Sequence, residues 1–468
     1  GWGILRAQKE IDQGFQGIGL MATVVNRRFK DERLRDQFNS ESFSFGLDGW
    51  TFLDADKEWV MTAWGGISHV KGNNTRMIDL QENSQHYFQR PDAGHVSVDS
   101  NATSLTGYAA RILLNKQKGN LFFNTAAGLI KPEFDVNDAG FFWRSDVINW
   151  HIAGGYRWTE PGKIFRRANL TFASFQSYDF DTNLTEFGFF HFGMFQFLNY
   201  YSFEWDFGYF PETFDNRKTR GGPLMIEPAS WFMELKVSSD QRKEWGLGFS
   251  WLRWISLAGD LENGVQLEFD WQPITNLAFS FLPGYQWNYN TAQYIDQIDD
   301  GLAVKTFGKR YIFAELDQKT LSIDIRLNWT FTPRLSLQMY IQPLFAFGAY
   351  DTYKELARPQ SFDFNEYPKE NIEYDEENDE IIIYPDGPGG PAEPFVLSNP
   401  DFNFRSLRGN TVLRWEYIPG STFYLVWTQS RSHSLENSDY YIDRSIVNIW
   451  NTEPDNIYML KWTYWLNL

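Results

Sequence analysis

The end of the chain, NIYMLKWTYWLNL from Asn456 to Leu468, constrains the fold more than any other stretch. Tyr458, Leu460, Trp462, Tyr464, Leu466 and Leu468 alternate with Met459, Lys461, Thr463, Trp465 and Asn467. A period of two is that of a β-strand, and one face of this strand is apolar to its last residue. On a soluble protein such an edge invites aggregation through its unpaired backbone groups. In a transmembrane barrel the same strand has lipid on one face, the lumen on the other and a neighbour at its edge. A terminal sandwich strand, buried on one face, is the alternative.

Composition favours the barrel. Aromatic residues make up 18% of the 468 residues, with 20 Trp, 23 Tyr and 42 Phe, yet the mean hydropathy is −0.45. No apolar run reaches the roughly 18 residues of a spanning helix. Rich aromatics and low hydropathy coexist when apolar side chains alternate with polar ones and polar loops lie between strands. The chain has no cysteine, which excludes disulfides and thiolate metal sites. Its net charge of −18 argues against a nucleic-acid partner.

Alternating segments recur in pairs. Gly3–Ile11 and Phe15–Asn26 flank Asp12-Gln13-Gly14, and Ser42–Leu53 and Trp59–Val70 flank Asp54-Ala55-Asp56-Lys57. Leu105–Asn115 pairs with Asn120–Ile130, Val147–Trp158 with Ile164–Tyr178, and Trp231–Ser238 with Trp245–Ile255. The turns carry Gly, Pro or charged clusters, and the connections between hairpins are longer and more polar. Short turns at one end and long loops at the other are the asymmetry of an outer-membrane barrel. Two insertions stand out, 71–103 and 352–402; the second contains YDEENDEIIIY, which reads as a small hairpin.

Parity sharpens the expectation. Gln272–Thr275, Thr332–Arg334 and Ile418–Ser421 read as short inner turns, so Gly308–Phe331 is one long strand despite a tempting turn at Asp317-Gln318-Lys319. The fold class expected is all-β: an antiparallel transmembrane barrel of roughly 18–20 strands with long outer loops, covering 1–468. The count favours nineteen, an odd number, whereas single-chain bacterial barrels are even. A strand preceding Gly1, lying between the first and last strands, is therefore expected.

Gly3–Glu10 with Asn26-Arg27, Gln85–Asp92, Asn137-Asp138, Arg220–Pro223, Ser239–Lys243, Phe402–Trp415 and Pro419–Thr422 form a scattered set of segments. Together they resemble a family of large outer-membrane barrels of unknown function, frequent in Bacteroidota. Members usually follow an N-terminal module resembling a family-nine carbohydrate-binding domain, which is not in this chain. The resemblance implies the barrel and the outer membrane, with outer-membrane lipid and lipopolysaccharide as surroundings. It implies no established activity.

The residues themselves suggest little catalysis. The histidines are His69, His86, His95, His151, His191 and His433, and no HExxH occurs. His86, Asp92 and His95 share a loop whose polarity accounts for them, so no metal or other cofactor is expected. Ser432 and His433 are adjacent on a strand and point to opposite faces, so they do not form a nucleophile–base pair. The acidic run Asn371–Glu380 lacks the ligand spacing of a calcium loop. Glu268, Asp270, Asp324, Arg326, Arg414, Glu416 and Lys461 alternate with apolar residues and should face the lumen. His86, Arg90 and Asp92 are the loop candidates. The expected role is non-enzymatic: transport, or a part in a surface complex that docks protein partners through outer loops, with glycans as a candidate cargo. A diffusion porin and, less favoured, a membrane-embedded hydrolase are the alternatives.

Overall fold

The computed structural model describes residues 1–435 and 448–466, so Asn467 and Leu468 of the terminal stretch lie outside it. The chain folds as an antiparallel meander. It opens with β1 (Trp2–Ile11), β2 (Gln16–Asn26), β3 (Glu41–Phe52), β4 (Trp59–Lys71), β5 (Ser104–Lys116) and β6 (Leu121–Ile130). It continues through β7 (Val147–Trp158), β8 (Phe165–Tyr178), β9 (Leu184–Phe197) and β10 (Ser202–Phe210). Two three-residue strands, β11 (Thr213–Asp215) and β12 (Met225–Glu227), pair in a loop before β13 (Ser230–Ser238), β14 (Trp245–Ser256) and β15 (Leu261–Ile274). Then come the long strands β16 (Leu277–Asp299), β17 (Lys309–Thr332) and β18 (Leu335–Leu356). A second loop holds β19 (Phe364–Glu366), β20 (Ile372–Asp375), β21 (Glu380–Ile383) and β22 (Phe395–Ser398). The meander ends with β23 (Phe402–Ile418), β24 (Ser421–Leu435) and β25 (Asp455–Trp462).

The main sheet has 20 strands, one of them the short loop strand β19, which leaves nineteen in the meander. The expected all-β architecture and strand number are those observed. Gly308–Phe331 is one strand, and Asp317, Gln318 and Lys319 sit in its ladder opposite Tyr289, Asn288 and Trp287. The acidic insertion holds the expected hairpin, β20 on β21, extended by β22. The β9–β10 turn at 198–201 was not signalled: it lacks Gly and Pro, and Tyr200 takes φ +68° itself.

The terminal strand is shorter than its alternation suggests. Its partner β24 begins at Ser421, after a two-residue turn in which Gly420 takes φ +81°. Pairing with β25 therefore runs out at Phe423 opposite Trp462, and Thr463 adds only a last exchange of backbone bonds with Thr422. Among the described residues β1 pairs only with β2 and β25 only with β24, so the sheet is not closed.

The two faces differ in chemistry. Register puts Trp329, Leu337, Leu413, Leu425 and Leu460 in one cross-strand row. That face is apolar and open: Leu267, for example, is 55% exposed. The opposite face aligns Asp270, Ser280, Arg326, Tyr340, Asn410 and Thr428. An apolar face of this extent, left outside a protein core, fits a lipid environment and not water.

Strand lengths divide the sheet vertically. β10 has 9 residues, whereas β16, β17 and β18 have 23, 24 and 22. The three long strands therefore extend beyond the rest of the sheet on the long-loop side. Their projecting ends carry a core of their own, where Ile312, Ala314 and Tyr353 pack on Ile381, Ile383 and Leu397 of the small loop sheet.

Candidate functional site

At the long-loop end, connections that are far apart in sequence lock onto one another. The first piece is the helix α1 (Asn74–Glu82), capped by the Asn73 side chain, which accepts from the Arg76 amide at 2.9 Å. Met77 and Leu80 bury themselves against Val70, Phe88 and Leu105, fixing the helix over β4 and β5. The chain then reverses sharply at Tyr87, whose φ is +52°. This reversal sends His86, Arg90 and Asp92 to three different neighbours.

His86 is buried between Phe88 and Phe142, with ring centroids 5.7 and 5.8 Å away. Burial lowers its pKa to about 4 and raises that of Asp135, 4.0 Å from its Nε2, to about 6. The ring is therefore neutral at pH 7 and helps to pack the loop. Arg90 is buried too, donating to Asp146 Oδ2 at 2.6 Å and to the Tyr87 carbonyl at 3.1 Å, with Asp179 at 3.7 Å. Asp92 accepts from the Leu224 amide at 2.7 Å, across 132 residues of sequence; burial raises its pKa.

His95, which stood outside the expected site, completes the lock. Its Nε2 lies 2.8 Å from Asp146 Oδ1, and its Nδ1 2.8 Å from Asp181 Oδ2, close but poorly aligned for a hydrogen bond. Backbone amides reinforce the same carboxylates, Gly94 donating to Asp181 at 2.6 Å and Phe180 to Asp146 at 3.0 Å. Burial opposes charge on His95, but its bonds and charge interactions with Asp146 and Asp181 outweigh burial and raise its pKa above 6.5. Both carboxylates, despite their own burial, are held below 3.8.

The sign of the pH dependence follows. The contribution of His95 is full below 6.5 and is lost as pH rises through its raised folded value. That of Asp146 and Asp181 is present above 3.8 and lost only as pH falls through their depressed values. Hydrogen exchange at Gly94 and Phe180, corrected for intrinsic rate, should therefore accelerate on the alkaline side of 6.5. His95→Gln should abolish that step; a step of equal size in the variant would show that His95 does not hold the loops.

The second piece is the β10–β13 connection, 211–229. Arg217 lies over the Tyr87 ring at 4.9 Å and Arg220 over Tyr294 at 4.6 Å. Gly221 (φ +99°) and Gly222 leave no room for a Cβ, which would strike Gln89 at one and Tyr311 at the other. Met225 is sealed among Ala292, Tyr311, Phe313 and Leu356 of the projecting strands. Leu224 and Ile226 exchange backbone bonds with Gln360 and Ser361. At the other side Arg27 pairs with Asp138, which also accepts from Asn39 Nδ2 at 2.6 Å. The loops thus form a continuous layer from the β2–β3 connection to the β18–β23 connection.

Asn26-Arg27, Gln85–Asp92, Asn137-Asp138 and Arg220–Pro223, scattered in sequence, all belong to this layer. Ser239–Lys243 does not; it forms a short turn at the opposite end, where Arg242 pairs with Asp240 at 2.7 Å and stacks on Tyr200.

The polar-face candidates bond mainly along the sheet. Lys236 is 3.7 Å from Glu268, Ser280 donates to Asp270, and Asp324 accepts from Tyr340 at 2.8 Å and Gln342 at 2.9 Å. Arg326 lies over Tyr340 at 5.2 Å, Arg414 pairs with Glu416 at 3.2 Å, and Lys461 lies over Tyr424 at 5.8 Å. A cavity of about 560 Å³ opens on this face, lined by Arg326, Asn328, Gln338, Tyr340 and Asn410. Among the described residues no group of three or more His, Asp or Glu is disposed to hold a metal, and Asp375 in the acidic insertion caps its own turn. Ser432 and His433 lie opposite Ser406 and Arg405, on alternate faces of β24.

A family described as a domain of unknown function, DUF5916, matches residues 68–468, most of the chain. The chain belongs to the DUF5916 family. No curated protein matches it. Among solved structures it is similar to the FrpB iron transporter from Neisseria meningitidis (F3-3 variant), with a TM-score of 0.42 and 7% identity over 91% of this chain and 76% of the other. It is also similar to a mutant of the ferric enterobactin receptor PfeA from Pseudomonas aeruginosa, in complex with enterobactin. There the TM-score is 0.37, with 9% identity over 91% of this chain and 72% of the other.

Proposed function

We propose that this member of the DUF5916 family is a non-enzymatic, transport-type β-barrel of the bacterial outer membrane, shut at its outer mouth by its own loops. One observation carries the proposal: the Arg90, Asp92 and His95 locks, which tie the β4–β5 loop to connections as distant as Leu224. A diffusion porin needs an open mouth, and a mouth closed by buried ion pairs opens only when something displaces them. The polar face, with Asp324, Arg326, Tyr340 and Asn410, would line the lumen and offer hydrogen bonds to a polar solute. The implied pairing with a carbohydrate-binding-like module in related chains would make a surface glycan the cargo or the docking partner.

Planar-bilayer recording tests the proposal. The purified protein should insert and give few or no openings, while deletion of 357–401 together with Arg90→Ala should give large, stable ones. Large openings in the unaltered protein would make it a porin.

A further inference from the structure

On the apolar face two cations, Arg253 and Lys319, share one cross-strand row. Cross-strand register aligns Met233, Arg253, Asn263, Trp287 and Lys319 on β13 to β17. Along β14 itself Arg253 shares a face with Leu247, Phe249, Trp251 and Ile255, all of them apolar. A guanidinium on a lipid-facing row costs about 2–4 kcal/mol at the bilayer midplane and less near the interface. Arg253 is three residues from the end of β14, about 10 Å along the strand from the long-loop rim. The next row outward contains Tyr209, Trp231, Ile255 and Tyr289, the aromatic composition of a membrane interface.

Among the described residues no carboxylate lies within ion-pair distance of Arg253, and its Nε is buried with no hydrogen-bond acceptor. Nearby acids are engaged elsewhere. Asp260 accepts from Ser256 at 2.7 Å and Thr291 at 2.6 Å, and Asp317 is 3.4 Å from Lys319. Lys319 is a second cation in the row, three strands away, or about 15 Å. Trp287 lies between, half-buried and stacked on Tyr285 with ring centroids 5.6 Å apart, and is the aromatic that a sugar ring would meet.

We propose that Arg253, Trp287 and Lys319 form an external binding site for the phosphorylated sugar headgroup of an outer-leaflet lipid. Arg253 donates to a phosphate, so its charge is compensated by the lipid and not by the protein. This site presupposes the membrane orientation proposed above, with long loops outward.

The test uses the full protein in phosphatidylcholine nanodiscs, titrated with lipid A carrying both phosphates and with the same lipid after phosphatase treatment. Native mass spectrometry reads the lipid bound. Removing the phosphates should weaken binding about tenfold, the scale of one lost charge-assisted hydrogen bond. Arg253→Gln should do the same, and Arg253→Lys should retain much of the affinity. Equal retention of both lipids by the unaltered protein would overturn the site even if Arg253→Gln failed to fold. Failure to enter phosphatidylcholine would overturn the membrane reading and the site together; entry without phosphate preference would overturn the site alone.

Discussion

Arg90→Ala should convert an electrically quiet barrel into one with frequent openings. The Arg90 side chain is 2% exposed and its partner Asp146 4%, so truncation leaves Asp179 without its buried counter-charge and Asp146 with His95 alone. Breaking a buried pair from one side costs about 3–5 kcal/mol, and loop layers open at the low end of a protein's range of local stabilities. The barrel wall should survive, because its hydrogen-bond ladder does not involve Arg90. Circular dichroism should therefore stay unchanged while open probability rises by an order of magnitude or more. The double variant Arg90→Ala with Asp179→Asn should recover part of the closure, since it removes the carboxylate left without its cation. Unchanged conductance in Arg90→Ala, with the protein inserted, would mean that the loops do not gate the lumen.

The second large effect separates the two faces of one strand. Leu267→Arg should block assembly into the membrane, whereas Gln266→Arg should be tolerated. Both lie mid-strand in β15, opposite Phe249 and Ser250 respectively. Leu267 belongs to the exposed apolar face, where an arginine costs about 2–4 kcal/mol near the midplane. Gln266 sits on the polar face beside Lys236 and Glu268, where a charge stays hydrated. Heat-modifiable migration of the folded barrel on a gel gives the readout. Equal assembly of the two variants, or the reverse order, would assign the faces wrongly.

Most of the wall was legible because a barrel strand writes its environment in a period of two. The β1–β2, β3–β4 and β5–β6 hairpins were readable from alternation and turn residues within a residue or so of their ends. The long β17 was readable from parity, since a break at Asp317 would have reversed every later strand. Where the signal failed, it failed for local reasons. The β9–β10 turn takes a positive φ at Tyr200, a residue with no turn signature, and β25 stops when β24 runs out of partners at Ser421.

The loop layer had no such periodicity. Its contacts join residues such as Asp92 and Leu224 or Arg27 and Asp138, and only three-dimensional folding brings these together. Sequence could show that Gln85–Asp92 is polar and Arg220–Pro223 rich in glycine. It could not show that Gly221 is small to admit Gln89, or that His95 lies between two carboxylates. Arg253 stands between the two cases: its identity and its face follow from alternation alone. That no carboxylate among the described residues reaches it depends on where Asp260 and Asp317 turn, which the tertiary structure decided. Repetition along a strand is a local property that the sequence carries in full, whereas the pairing of loop charges is fixed only by the closure of long chain segments.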